Sequence, residues 1–180
     1  MKTLCAVAFA TLVAVPAFAQ TPAATPANPI ATSTAGTLAM VKGYITKAAE
    51  QVPENLYGFQ ATPEVRTFGQ LFGHVANANY MICSGIAGEK SPAPADFEKT
   101  KMTKAELAKG LADAFAYCEK VYAATTDADG GKMVDLFGMK MAKLAALGFN
   151  NAHNFEHYGN IVTYMRLNKM VPPSSQGRGM

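Results

Sequence analysis

Apolar residues in this chain recur every three or four positions over four long stretches, the spacing of a buried face on an α-helix. Leu38, Val41, Ile45, Ala48 and Val52 predict a first helix from about Ala35 to Gln51, stopped by Pro53. Phe68, Leu71, Val75, Ala78 and Ile82 form the stripe of a second, from Thr67 to about Ala87. Leu107, Leu111, Phe115, Cys118 and Tyr122 form that of a third. Thr67 with Gln70, and Thr103 with Glu106, have the form of a capping box, in which side chain and backbone at a helix start satisfy each other's hydrogen bonds. A fourth helix runs from about Ala142 to Asn168 and closes before the paired prolines Pro172 and Pro173. No alternating strand pattern stands out. Residues 88–102 make a long proline-containing connection, and residues 125–132 a Gly/Asp break. The predicted fold is all-α, a four-helix bundle, and the long connection permits parallel as well as antiparallel neighbours.

The fourth helix carries two apolar faces. Leu144, Leu147, Phe155, Tyr158, Val162 and Met165 lie on one side, and Ala142, Ala146, Phe149, His153, His157 and Tyr164 on nearly the opposite one. Such a helix needs partners on both sides. Either it is the central helix of the bundle, or its second face forms a homodimer contact.

The ends of the chain change the picture of where the protein works. Lys2, the apolar run Leu4–Val15 and the small-residue pattern Ala17-Phe18-Ala19 read as a secretory signal peptide over residues 1–19. Cys5 stands too early in that run to be a lipid attachment point. The run is too short for a membrane span, so the expectation is an exported protein, periplasmic or secreted, with no membrane anchor after cleavage. Residues 20–36, rich in Pro, Ala and Thr, predict a disordered lead-in. Residues 37–175 then form the bundle and 176–180 a C-terminal tail. The net charge of +3 loses Lys2 on processing, which is close to neutral. No basic run points to nucleic acid. Cys83 and Cys118 remain, too few for a disulfide-built scaffold; they read as small buried thiols or as one pair.

Candidate chemistry rests on the three histidines. His153 and His157 stand one turn apart, about 40° from each other around the helix, so both rings can face one ion. With His74 from the second helix they would make a three-nitrogen face with positions left for water or substrate, the pattern of a catalytic site. The alternative is that all three are ordinary surface or core-edge residues. The segment His153-Asn154-Phe155-Glu156-His157 is not the zincin motif, because Glu156 is on another face and reads as solvated. Gln70 and Asn77 share the side of His74, Asn150 lies beside His153, and Tyr164 follows on the same helix. These four are candidates to hydrogen-bond a ring or a bound water.

The stretch "TFGQLFGHVANANYMICSGIAG", followed by "LGFNNAHNFEHYGNIVTYMRLNKMVPPSS", resembles the DinB-like proteins of the DinB/YfiT superfamily. The similarity extends over nearly all of residues 37–175. It implies a bundle with up-down-down-up topology, often dimeric, holding a divalent metal through one histidine of the second helix and two of the fourth. His74, His153 and His157 fill those positions. Zinc or nickel fit best, then iron, copper or manganese. The resemblance further implies metal-dependent thiol transferases or isomerases that use a low-molecular-weight thiol, without DNA binding. With no carboxylate placed as a general base, the expectation for this chain is a metal-dependent hydrolase or a thiol or other group transferase acting on a small molecule. The alternatives are a non-catalytic, stress-related bundle that binds metal or ligand, and a metal-free structural one. Parallel packing of the second and third helices, also implied, would bring Cys83 and Cys118 level and allow a disulfide.

Overall fold

The computed structural model describes residues 27–100 and 102–177. The expected signal peptide, residues 20–26 of the lead-in and residues 178–180 of the tail lie outside the described residues. Four helices dominate: α1 Pro29–Gln51, α2 Phe68–Ala87, α3 Lys104–Ala123 and α4 Lys143–Leu167. Both capping boxes form. The side chains of Thr67 and Thr103 accept from the backbone of Gln70 and Glu106, whose side chains accept in return. The left-handed Gly88, φ 72°, ends α2.

Side-chain pairs fix the direction of each helix. Tyr44 stacks on Tyr158, and Asn151 donates to the Thr34 carbonyl 3.0 Å away, so α1 and α4 run parallel. Tyr80 meets Tyr117 and Cys83 meets Cys118, so α2 and α3 are parallel too. Asn79 pairs with Asn154 and His74 faces His157, which makes α2 and α4 antiparallel. The topology is up-down-down-up. Phe68, Phe72, Phe115, Leu111 and Ile161 are among the side chains that fill the centre. Both apolar faces of α4 are used inside the chain, with Tyr158 on α1 and Tyr164 edge-on to Phe68 of α2.

Two expectations need correction. α1 starts at Pro29 rather than Ala35, so the end of the lead-in expected to be disordered is helix. Its cap comes from far along the chain: Asp127 accepts from the backbone of Ile30 (3.1 Å) and Ala31 (2.7 Å), and its own N–H donates to Asn28. No local pattern could announce that. The second correction is a β-hairpin before α4, β1 Met133–Leu136 paired with β2 Met139–Ala142. Its two-residue turn is Phe137-Gly138, both at positive φ, where Asn-Gly or Asp-Gly would be the recognisable signal. Leu136 is buried against Gly85 of α2 and anchors the hairpin.

At the middle of the bundle Asn79, Asn150 and Asn154 form a buried amide knot. Asn79 and Asn154 donate to each other at 2.8 and 3.1 Å, and Asn150 donates to Asn79 and to the Tyr122 hydroxyl, both at 3.2 Å. Cys83 and Cys118 form a disulfide beside it, with Cα atoms 5.4 Å apart and both residues fully buried. Closing a 35-residue separation, the bond restricts the unfolded chain. The Cys83→Ala, Cys118→Ala double variant is expected to unfold with about 3 kcal/mol less stability in denaturant titration. The oxidised protein should show no free thiol from this pair on mass analysis after alkylation.

Candidate metal centre

His74 projects from the second turn of α2 and His153 and His157 from the middle of α4, and antiparallel packing brings the three rings together. Ring centroids lie 4.5 Å apart for His153 and His157, 4.6 Å for His74 and His157, and 5.3 Å for His74 and His153. One nitrogen from each falls within 4.8 Å of the others. The Nε2 atoms of His153 and His157 are 3.2 Å apart. Two nitrogens bound to one zinc at about 2.0–2.1 Å with a tetrahedral angle sit about 3.3 Å apart, so this spacing fits a shared ion.

The long α2–α3 connection supplies what braces the rings. Glu98 Oε2 lies 2.8 Å from His74 Nδ1, and Glu98 Oε1 accepts from Arg66 Nε at 2.8 Å. A proton held on Nδ1 leaves Nε2 of His74 bare, the tautomer a metal requires. Burial pushes the Glu98 carboxyl up, but the hydrogen bonds from His74 and Arg66 outweigh it and hold it below the usual range. Asn160 places its side-chain amide 3.3 Å from His157 Nδ1. The Nδ1 of His153 is buried and has no hydrogen-bond partner among the described residues.

Glu98 is held by an anchor next to it. The Phe97 ring lies against Gly110 of α3 and its carbonyl against Gly73 of α2, where any Cβ would collide with them. Phe97 N–H donates to Asn77 Oδ1 at 3.0 Å, and the Asn77 amide donates to Asp96 at 2.7 Å.

The four candidates to hydrogen-bond a ring or a bound water have other partners inside the protein. Asn77 pins the connection that carries Glu98. Asn150 belongs to the amide knot. Tyr164 donates to the Arg66 carbonyl at 2.8 Å, and Gln70 Oε1 caps α2 by accepting from Thr67 N–H. None of them hydrogen-bonds a histidine. Sequence reasoning missed Arg66, Glu98 and Asn160. The only prior signal was an acidic residue in a long connection near a histidine at a groove edge. Glu156, expected to be solvated, is exposed.

Two α-helices up, two down and a three-imidazole face define this as a histidine-bearing bundle. Residues 37–161 match the DinB superfamily, and the chain belongs to it. Its fold is similar to that of a DinB-like protein from Bacillus cereus, at 18% identity and TM-score 0.69 over 79% of this chain and 95% of that one. It is also similar to a DinB-like protein from Bacillus subtilis, at 18% identity and TM-score 0.64 over 82% and 99%. A mycothiol-dependent maleylpyruvate isomerase shares the fold at 14% identity and TM-score 0.61, over 73% of this chain and 60% of the isomerase. Comparison with functionally curated proteins gives no match.

Burial first, then the neighbouring imidazoles, pushes His157 down to about 4 and His153 down as well. Below pH 6.5 the unfolded chain takes up the proton first, so His157 contributes stability above that pH and loses it as pH falls toward 4. Metal-free wild type is expected to lose about 2 kcal/mol more than His157→Gln between pH 7 and pH 4, read from denaturant midpoints at each pH. Parallel curves for the two proteins would refute the burial argument.

Proposed function

We propose that this is an exported, metal-dependent hydrolase or group transferase acting on a small molecule. His74, His153 and His157 would hold its divalent ion. The observation that carries this reading is the convergence of three imidazole nitrogens from two helices, with one ring braced by a carboxylate. Zinc or nickel suits an all-imidazole donor set. A bound ion would supply Lewis acidity toward an oxygen or sulfur of the reacting partners. The chain's own part is to hold the His74 proton on Nδ1 through Glu98, neutralise Glu98 with Arg66, and keep His153 and His157 uncharged by burial. The likeness to the isomerase, whose name carries a thiol cosubstrate, supports the transferase branch. Residues 1–19 support export.

Purified protein is expected to carry one zinc or nickel per chain by elemental analysis and to gain thermal stability on zinc addition. The His153→Ala, His157→Ala double variant should do neither. A wild type that takes no metal and shows no shift would sink the reading. Glu98→Gln, which keeps the shape but loses the charge facing His74, should weaken zinc binding about 10–100-fold in chelator competition. Metal-dependent turnover of esters, amides or thiol adducts distinguishes an enzyme from a bundle that only stores or senses metal.

A further inference from the structure

Separated from His74 and His157 by Glu98 and Asn160 lies a cavity of about 490 Å³, within the usual size of small-ligand sites. Its lining includes Glu98 and Asn160, the side chains bonded to His74 and His157. Val65, Leu71 and Tyr164 give it apolar walls, and Arg66 and Gln70 complete it. Glu64 stands at its exposed rim.

Several of the polar groups lining this cavity are already engaged inside the protein. Both oxygens of Glu98 are taken, one by Arg66 and one by His74. The Tyr164 hydroxyl proton goes to the Arg66 carbonyl. Gln70 Oε1 is held by Thr67 N–H, which turns the identity of the free end into a donor: among the described residues its Nε2 amide has no partner. Arg66 uses only Nε inside the protein, and among the described residues its two Nη groups have no partner. The first N–H groups of α2 are occupied by Phe59, Tyr57 and Thr67, so the helix start contributes nothing further.

Among the described residues the unpaired donors are therefore an arginine fork and a carboxamide N–H₂, each fixed through another atom of the same side chain, while the Asn160 side-chain carbonyl and the exposed Glu64 carboxylate at the rim remain as acceptors. Donors immobilised in advance lose little entropy on binding. A guanidinium edge matches a planar carboxylate with two parallel hydrogen bonds. We propose that the cavity recognises a carboxylate-bearing small molecule, its carboxylate on Arg66 and Gln70 and its apolar body along Val65, Leu71 and Tyr164. This proposed arrangement offers the remaining end of the ligand to His74 and His157, which Glu98 and Asn160 of the lining touch. It rests on the metal reading for what happens at that end, and on Arg66 and Gln70 alone for the anchoring.

The test uses benzoate and its neutral counterpart benzamide, titrated by calorimetry or NMR into zinc-treated wild type, Gln70→Glu and Arg66→Gln. Gln70→Glu keeps an oxygen to cap α2 and leaves Arg66, Glu98 and His74 alone, but sets a carboxylate where the amide N–H₂ stood. Zinc content and thermal midpoint are measured separately for each protein. Benzoate is expected to bind wild type at least about tenfold tighter than benzamide, and to lose about tenfold or more in Gln70→Glu while zinc content and midpoint hold. Arg66→Gln should lose at least as much. Benzoate that does not bind, binds no better than benzamide, or binds both variants as it binds wild type overturns the proposal even when zinc is present. If wild type takes no zinc, the metal reading falls, and the same benzoate comparison on the metal-free proteins still decides for or against the anchor.

Discussion

The parallel pairing of α2 and α3 is the constraint on which the rest of this structure depends. Two consecutive helices that run the same way must be joined by a segment that returns along their whole length. The 20-residue α2 is about 30 Å long, so residues 88–102 have to travel back beside it. A return path there passes Asn77, Gly73 and His74 in turn. The long connection is thus a part of the site by topology: it brings Glu98 to His74, with Phe97 seated between the helices it joins.

That arrangement gives the three imidazoles unequal support. His74 has a carboxylate behind it and an arginine behind the carboxylate. His157 has an amide, and the buried Nδ1 of His153 has no partner among the described residues. The ring from α2 is therefore the one whose proton is assigned by the fold. The two rings from α4 are kept neutral by burial and by each other, a weaker control that answers to acidity.

Much of this was legible in the sequence because periodicity and capping are local. Four helices, both capping boxes and the histidine pair on one face of α4 follow from spacings of three and four residues. His74 was a candidate partner of that pair from its place at a groove edge of the second helix, and the resemblance to the DinB superfamily is what favoured it over the ordinary-histidine alternative. What stayed hidden depends on residues far apart in the chain. The start of α1 is set by Asp127, and the hairpin by a Phe-Gly turn that carries no usual signal. Placing Gln70, Asn77, Asn150 and Tyr164 around the metal followed helical wheels. A wheel gives direction but not what arrives from outside: Thr67, the Phe97 segment, the amide knot and Arg66 each engage one of those four side chains, while the Gln70 amide N–H₂ is left without a partner among the described residues.

The slot that seats Phe97 couples two positions that look unrelated in the chain. A Cβ at Gly110 has no room while the Phe97 ring is there, and the space exists only because position 110 is bare. Bulk at one site is permitted by its lack at the other. Divergent copies of this protein should therefore trade volume between positions 97 and 110 in compensating pairs, and a lineage that filled position 110 alone would lose its grip on His74 without altering a single histidine.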